Sequence, residues 1–290
     1  MNIIEFGDCR ETMKKWANAG VKAQVCVTSP PYFGLRDYGH EGQIGLEQTP
    51  EEYVAVMVDV FRYVREVLAD DGTVWLNIGD SNWSASLERE TSVEAMWGNR
   101  RGSDLSDGRG NIPVHNRRGR IPRPKGVKPK DVLGIPWMLA FALRSDGWYL
   151  RQDIIWAKPN PMPERKMDRC TKSHEHLFLL SKQPKYYWDH SGMEEQAVSG
   201  GVRIRRDVWT VPVKHYKDAH FATFPELLIE PCIKTGSRSG DIVIDPFMGS
   251  GSTGKAAMRE GFHFMGIEMD PEYLATAEAR IKHEANKKTR

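Results

Sequence analysis

Short apolar runs and stretches of helical spacing alternate along the first third of the chain. Ala23–Thr28 is an apolar run that predicts a buried strand, and residues 73–78 predict another. Between them, residues 50–68 carry apolar side chains at helical spacing after Thr49-Pro50-Glu51-Glu52, a typical helix start. We predict that Asp70-Asp71-Gly72 ends this helix. Strand, helix and strand in this order favour a parallel sheet.

The second half of the chain continues the same alternation. Helices are predicted over residues 136–143, 225–233, 253–260 and 271–285, and strands over residues 148–157, 175–181, 241–244 and 263–267. Residues 182–220 are predicted to be irregular, because they are rich in basic and aromatic residues without a clear period. The pattern as a whole predicts an α/β fold.

Composition narrows the class of protein. Hydrophobic residues make up 40% of the 290 residues and charged residues 28%, which is typical of a globular protein. No run approaches the roughly 18 apolar residues of a membrane span, and the first residues do not resemble a secretion signal. The four cysteines form no C-x-x-C pair, so we expect reduced thiols, no metal site and a cytoplasmic location.

A basic segment interrupts the predicted fold at residues 82–130. It holds eleven Lys or Arg residues against five Asp or Glu, and it is rich in Gly, Ser, Asn and Pro. This composition is typical of a solvated loop, and it also suits a polyanionic partner. Both interpretations stay open at this point.

A glycine-rich turn follows the predicted strand that ends near Asp245. Gly249, Gly251 and Gly254 match G-x-G-x-x-G, and Glu268 ends the next strand, where an acid can accept hydrogen bonds from ribose. Such a turn suits a dinucleotide, S-adenosylmethionine or no ligand. A carboxylate before the glycines, as at Asp245, favours a cationic cofactor with an amino-acid tail over a pyrophosphate.

The same turn resembles most of a P-loop, which would indicate an ATPase. A P-loop requires Ser or Thr after its lysine to hold magnesium, whereas Ala256 follows Lys255 here. We therefore set the ATPase interpretation aside.

The tetrapeptide Ser29-Pro30-Pro31-Tyr32 decides between the remaining ligands. Directly after a buried strand, it resembles the [S/D/N]-P-P-[Y/F/W] loop of the amino-methyltransferases of DNA. An exocyclic amine is a poor nucleophile, and acceptors such as Ser29 Oγ and the Pro30 carbonyl can concentrate its lone pair on nitrogen. The prolines fix φ and so preorganise these acceptors. Tyr32 would stack on a base extruded from the duplex.

Further segments extend this resemblance. Three segments would bind the cofactor: residues 7–9, with Asp8 near adenine; residues 266–273, with Glu268 at ribose; and residues 245–251, with Asp245, Phe247, Gly249 and Gly251 at S-adenosylmethionine. Residues 154–160 would line the base pocket, and residues 220–225 would close over the cofactor. The catalytic loop precedes the glycine loop, as in the β group of these enzymes. The resemblance implies a doubly wound, mostly parallel seven-stranded sheet with a late antiparallel strand, S-adenosylmethionine as cofactor, and no metal.

The resemblance also divides the chain by role. The catalytic core comprises residues 1–81, 131–181 and 219–290, interrupted by the basic insert 82–130 and a target-recognition region at 182–218. Base-pocket and DNA contacts are expected from Phe33, Trp156, Lys158, Arg203, Arg205 and Arg206. Double-stranded DNA is the expected partner, with a homodimer and a cognate restriction endonuclease as further candidates.

Ser at the first tetrapeptide position goes mainly with cytosine N4 in this family, and Asp mainly with adenine N6. Ser29 therefore favours cytosine N4, with adenine N6 as the alternative. An RNA methyltransferase, a protein-glutamine methyltransferase and an inactive nucleic-acid-binding homologue are lesser alternatives.

Overall fold

The computed structural model describes residues 2–40, 42–83, 126–164, 167–213 and 224–288. The strands within these ranges are β1 (Asn2–Phe6), β2 (Ala23–Thr28), β3 (Leu68–Ile78), β4 (Tyr149–Ala157), β5 (His174–Ser181), β6 (Glu194–Gln196), β7 (Val202–Ile204), β8 (Val208–Thr210), β9 (Ile242–Asp245) and β10 (His263–Glu268). The helices are α1 (Cys9–Asn18), α2 (Pro50–Val67), α3 (Ile135–Ser145), α4 (Glu226–Gly236), α5 (Ser252–Glu260) and α6 (Pro271–Lys288), with a 3-10 turn at His190–Met193.

Eight of the described strands form one sheet in the order β1-β10-β9-β2-β3-β5-β4-β8. Only β5 is antiparallel to its neighbours, β3 and β4, which confirms the predicted mostly parallel α/β sheet with a late antiparallel strand. The sheet has one strand more than the seven predicted. The additional strand, Val208–Thr210, pairs with β4 inside a segment predicted to be irregular, and three residues are too few to show a period.

The structure corrects the sequence analysis at the junction of α2 and β3. The segment Asp70-Asp71-Gly72 was predicted to end the helix, but α2 ends at Val67 and β3 begins at Leu68. A shift in register between the pairings of Ala23 and Val25 absorbs the extra residues. A Cβ on Gly72 would lie 2.7 Å from Leu68 Cγ, so this glycine serves packing rather than helix termination. Two further elements, β1 and α1, were not predicted from the sequence.

One face of the sheet is covered by α4 and its neighbours. Val25, Trp75 and Val243, from adjacent strands, belong to the same buried cluster as Leu228 and Ile233 of α4. Complete burial of one such side chain contributes roughly 1.5–3 kcal/mol to the stability of the fold. This packing holds β2 and β9 side by side, and the candidate site begins at their carboxyl ends.

The chain divides into two compact units, Met1–Pro30 with Met57–Gly79 and Pro136–Arg290, and Pro31–Val56 with Asp80–Ile135. The first unit contains the whole eight-stranded sheet. In the second unit, the Asp80 carboxylate accepts the backbone N–H groups of Ser81 and Gly134. Most of the predicted basic insert, residues 84–125, lies outside the described residues. Among the helices that are described, none has the length and apolar character needed to cross a membrane.

Candidate active site

The candidate site lies at one edge of the large sheet. Because β2, β9, β10 and β4 all run in the same direction, Thr28, Asp245, Glu268 and Ala157 end their strands at this edge. Ligands of open parallel sheets bind outside the carboxyl ends of the strands. Ser29 and the glycine turn therefore start from neighbouring strand ends, and residues 158–160 start from the same edge.

The Asp245 carboxylate connects these strand ends. Its Oδ1 accepts the hydroxyl of Thr28 at 2.6 Å and the backbone N–H of Phe247 at 3.0 Å, and its Oδ2 accepts the hydroxyl of Thr253 at 2.7 Å. Asp245 is only 1% exposed, and this burial raises its pKa to about 6 despite the three hydrogen bonds, which lower it. The carboxylate thus fixes the end of β2, the glycine turn and the start of α5 together.

The two glycines named as cofactor contacts have different surroundings. Both need a left-handed backbone, with φ +51° at Gly249 and φ +83° at Gly251. A Cβ on Gly251 would lie 2.9 Å from Cβ of Ala277, so this glycine allows α5 to approach α6. A Cβ on Gly249 would meet nothing nearer than the Phe247 carbonyl oxygen at 3.9 Å. The space beside Gly249 is therefore open.

Glu268 closes the other side of the turn. Its Oε2 accepts the N–H of Gly249 at 2.7 Å, and its Oε1 accepts the N–H of Asp270 at 2.9 Å. Burial raises the pKa of Glu268 to about 7, although these backbone hydrogen bonds lower it. A carboxylate oxygen can accept more than one donor, so both oxygens can still accept ribose hydroxyls.

Asp8 lies beside this strand end and caps α1. The N–H of Gly7 donates to the carbonyl of Glu268 at 3.0 Å, which places Asp8, two residues beyond β1, beside the end of β10. Asp8 accepts the backbone N–H and the guanidinium of Arg10, both at 2.8 Å. Burial raises the pKa of Asp8, but the bonds from Arg10 outweigh it and hold the pKa below its ordinary value. Asp8 is therefore a negative charge near Glu268, where the sequence analysis expects adenine.

The boundary between the two units falls within the tetrapeptide, after Pro30. Ser29 is partly buried at the end of β2, in the first unit. In the second unit, the hydroxyl of Tyr53 donates to the Pro31 carbonyl at 2.9 Å, and its ring packs 5.7 Å from that of Phe33. Phe33, expected in a base pocket, is only 2% exposed. The helical spacing predicts Tyr53 as an apolar helix position and does not indicate this contact, which holds the Pro31 carbonyl.

Trp156 and Lys158 have partners inside the protein. Trp156 is buried, and its indole N–H donates to the carbonyl of Val211 at 2.7 Å. The Lys158 ammonium lies 4.3 Å from the centre of the Trp156 ring and forms an ion pair with Glu175. These contacts shape the start of the segment after β4. They do not leave the Trp156 ring open for a base to stack on.

The three arginines expected to read DNA differ in their surroundings. Arg203 forms an ion pair with Glu195 across the β6–β7 hairpin, at 2.8 Å. The guanidinium of Arg205 lies 5.5 Å from the centre of the Trp209 ring, whereas Arg206 is exposed. Arg206 is therefore the best placed of the three to contact a phosphate.

A buried charge network lies behind the glycine turn, and sequence analysis did not detect it. Glu226 accepts the Lys255 ammonium at 2.9 Å and the Arg259 guanidinium at 2.7 Å. Arg280 lies 3.6 Å from Glu226 and donates to the Ser250 carbonyl at 2.6 Å. Lys255 thus contacts a buried carboxylate rather than reaching a phosphate, which agrees with setting the P-loop aside. Arg280 supports the turn from behind.

Comparison with known proteins adds to this geometry. Residues 23–279 match the N6/N4 family model described as DNA methylase. The chain is 46% identical to the Type II methyltransferase M.Cfr9I of Citrobacter freundii, over 96% of this chain and 87% of that protein. It is 45% identical to the Type II methyltransferase M.SmaI of Serratia marcescens, over 96% of this chain and 90% of that protein.

Solved structures share the fold. The PvuII DNA methyltransferase (cytosine-N4-specific) superposes with a TM-score of 0.66 at 19% identity, covering 99% of this chain and 92% of that one. The complex of M1.HpyAVI with SAM gives a TM-score of 0.57 at 19% identity, over 97% and 100% of the two chains. The family match and the relatives confirm the predicted enzyme class and leave the target base unresolved. The chain belongs to the DNA methylases of the N6/N4 type, the S-adenosylmethionine-dependent enzymes that methylate amino groups of bases in DNA.

Proposed function

We propose that this protein transfers a methyl group from S-adenosylmethionine to N4 of cytosine in double-stranded DNA. The observation that carries the proposal is the connection from Ser29 through Thr28 to Asp245. Thr28 directly precedes the catalytic tetrapeptide, and its hydroxyl is bound to the carboxylate that precedes the glycine turn. A base held at Ser29 and a cofactor held at the turn would therefore keep a fixed separation.

The cofactor would be held by Asp8, Asp245, Phe247, Gly249, Gly251 and Glu268. Glu268 would accept the ribose hydroxyls, and the open backbone at Gly249 would allow close approach. Asp245 would supply negative charge beneath the cationic methionine portion, and its bonds to Thr28 and Thr253 keep that charge in place. The cofactor supplies an electrophilic methyl group on a sulfonium.

The remaining chemistry falls to the tetrapeptide. Ser29 Oγ and the Pro30 carbonyl would accept the two amino protons of the target base, concentrating the nitrogen lone pair for attack on the methyl group. The Tyr53 hydroxyl holds the Pro31 carbonyl, next to these acceptors in the chain. Preorganised acceptors of this kind need no reorganisation as the reaction proceeds. Tyr32 would stack on the extruded base.

DNA binding is assigned to the basic insert 82–130 and to the region 182–218, with Arg206 as a phosphate contact. The relatives are named type II methyltransferases, which favours a cognate restriction endonuclease as partner. A bacterial cytoplasmic location is proposed on the same ground. A homodimer is a further proposal and depends on a measurement of mass in solution.

Cytosine N4 is preferred over adenine N6 on two grounds. Ser29 stands at the first tetrapeptide position, and the solved PvuII enzyme of the same fold is described as cytosine-N4-specific. Both bases present an amino group beside a ring acceptor, so adenine N6 remains the alternative with the same site and mechanism.

Transfer of a radiolabelled methyl group from S-adenosylmethionine to duplex DNA tests the proposal. Replacing Ser29 by Ala should reduce turnover on the order of 10²-fold, as loss of one preorganised hydrogen bond does at other reacting centres. Calorimetric affinity for the cofactor should stay at the parent level. A Ser29→Ala enzyme with full turnover would contradict the proposed role of Ser29. Labelling of RNA instead of DNA would contradict the proposed substrate.

A further inference from the structure

A proline-rich segment leaves the carboxyl end of β4, at the edge where the candidate site lies. Residues 158–164, which we call the proline arm, read Lys-Pro-Asn-Pro-Met-Pro-Glu, with proline at every second position. Each proline fixes its own φ and restricts the residue before it to extended conformations. Met162 stands between Pro161 and Pro163, so its backbone is among the stiffest in the arm.

The base of the proline arm is held at two points. The N–H of Lys158 donates to the carbonyl of Ser173 at 2.7 Å, which closes the segment onto the start of β5. The side chain of Asn160 exchanges two hydrogen bonds with the backbone of Val213, one of 3.0 Å and one of 2.8 Å. A stiff segment with a fixed base presents its tip in a defined position and loses little entropy on binding.

The tip of this arm is apolar and exposed. The Met162 side chain is 76% exposed, although this flexible thioether could pack into almost any neighbouring gap. The segment is basic along the chain, because residues 158–172 contain five Lys or Arg and two Asp or Glu; Lys158 pairs with Glu175 and Arg169 with Glu164. Proteins that kink DNA insert apolar side chains, Met among them, between base steps.

We propose that Met162 is such a wedge and enters the base stack of duplex DNA next to the target base, helping to extrude it. This inference rests on the proposed function, since only an enzyme acting on a paired base needs extrusion. Breaking the stacking and pairing of a base costs a few kcal/mol, and a wedge that fills the gap offsets part of this cost.

The test uses two duplexes that differ only opposite the target base. Sequencing of DNA methylated by the parent enzyme locates the target, which is then placed opposite its normal partner or opposite an abasic site. For Met162→Ala, we expect kcat/KM to fall on the order of tenfold on the paired duplex, equivalent to about 1.4 kcal/mol. On the abasic duplex, where the base is already unpaired, it should return to within about twofold of the parent.

Two variants serve as controls. Met162→Phe keeps an apolar wedge and should retain activity on the paired duplex. Met167→Ala removes another exposed methionine of the same segment, one without flanking prolines, and should behave as the parent does. The wedge would be overturned if Met162→Ala lost equal activity on both duplexes, or if Met167→Ala lost as much as Met162→Ala. A change of mass in solution with Met162→Ala would overturn it as well. A parent enzyme that labels no DNA would instead overturn the proposed function.

Discussion

The hydroxyl of Thr28 donates a 2.6 Å hydrogen bond to the carboxylate of Asp245, although 217 positions separate the two residues in the chain. Both are buried at neighbouring strand ends, and Ser29 directly follows Thr28. The loop assigned to the base and the turn assigned to the cofactor are therefore fixed to each other by one short contact. The chain brings them together through the pairing of β2 with β9.

Replacing Thr28 by Val removes this hydrogen bond and keeps the shape of the side chain. Loss of a buried hydrogen bond to a charged group costs about 1.5–3 kcal/mol, so we expect affinity for S-adenosylmethionine and turnover to fall on the order of tenfold each. Calorimetry and methyl transfer measure the two effects. Thr28→Ser keeps the hydroxyl and should retain both. A Thr28→Val enzyme equal to the parent would show that the contact has no part in the reaction.

The two glycines of the turn should separate stability from cofactor binding. Gly251→Ala places a Cβ 2.9 Å from Cβ of Ala277, so we expect a marked decrease in the thermal midpoint of unfolding. Gly249→Ala meets no close atom and should cost only about 1–2 kcal/mol for its left-handed backbone. The affinity of Gly249→Ala for S-adenosylmethionine should nevertheless fall by more than this backbone strain explains. Unchanged cofactor binding by Gly249→Ala would contradict the site.

Cofactor affinity should depend on pH through the two buried acids. Burial raises the pKa of Asp245 to about 6 and that of Glu268 to about 7, so the free protein protonates both as pH falls through this window. A cationic ligand and its hydroxyls prefer the ionised carboxylates, and affinity should therefore be greatest above pH 7 and decrease below it. Calorimetry of the parent and of Glu268→Gln from pH 8 to pH 5.5 measures this. Glu268→Gln should lose the part of the pH dependence near pH 7. If the affinities of parent and variant changed with pH in parallel, Glu268 would not be the group that titrates in the cofactor site.

Glu226 should contribute strongly to stability. It is only 1% exposed and is bound by Lys255 and Arg259, so Glu226→Ala would remove the buried acceptor that these two cations share, while Lys255 keeps Glu284 and Arg259 keeps Glu230. Breaking a buried ion pair from one side costs about 3–5 kcal/mol, and the remaining partners of the two cations should hold the loss below that range. Asp146→Ala, which breaks the exposed pair with Arg62, is a matched control and should change stability little. Urea denaturation compares the two variants, and similar losses would contradict a special role for Glu226.

The stabilisation by Glu226 should disappear in acid. Burial raises the pKa of this carboxyl, but the hydrogen bonds and charges of Lys255 and Arg259 outweigh it, and the pKa lies below its ordinary value of 4.5. The contribution is therefore complete above about pH 4.5 and is lost as pH falls below it. The stability difference between parent and Glu226→Ala should accordingly become smaller below pH 4.5.

Salt dependence should distinguish the arginines of the region 182–218. Arg206 is exposed, whereas Arg203 is paired with Glu195. If Arg206 neutralises a phosphate, Arg206→Ala should reduce the slope of log affinity against log salt by about one unit. Arg203→Ala should change the slope less. Fluorescence anisotropy with labelled duplex DNA measures both slopes, and an unchanged slope for Arg206→Ala would remove it from the DNA contacts.

Sequence patterns predicted most of the sheet because its strands are apolar runs with clear ends. Ala23–Thr28 is a strand with the predicted bounds, since all of its six residues are buried and none interrupts the run. By contrast, Val208–Thr210 is too short to show a period, and its pairing with β4 depends on tertiary contacts. The start of β3 was misplaced because Asp70, Asp71 and Gly72 look like a helix end, although a bulge accommodates them within the strand.

The candidate site could be located from the sequence, but its internal contacts could not. Motifs identified Ser29, Asp245 and Glu268, and the parallel strands place all three at one edge. No motif indicates that Thr28 binds Asp245 or that Tyr53 binds the Pro31 carbonyl, because these partners are distant in the chain or lie among ordinary helix positions. Trp156 was expected in a base pocket, and no motif indicates that its indole N–H is bound to the carbonyl of Val211.

Mass spectrometry of nucleosides from DNA methylated by the purified protein tests the central claim most directly. The DNA is incubated with S-adenosylmethionine, digested and compared with DNA treated with the Ser29→Ala variant. We predict N4-methylcytosine with the parent and at most about one hundredth as much with the variant. N6-methyladenine alone would contradict the choice of base and keep the mechanism. Absence of both methylated bases would contradict the proposed function itself.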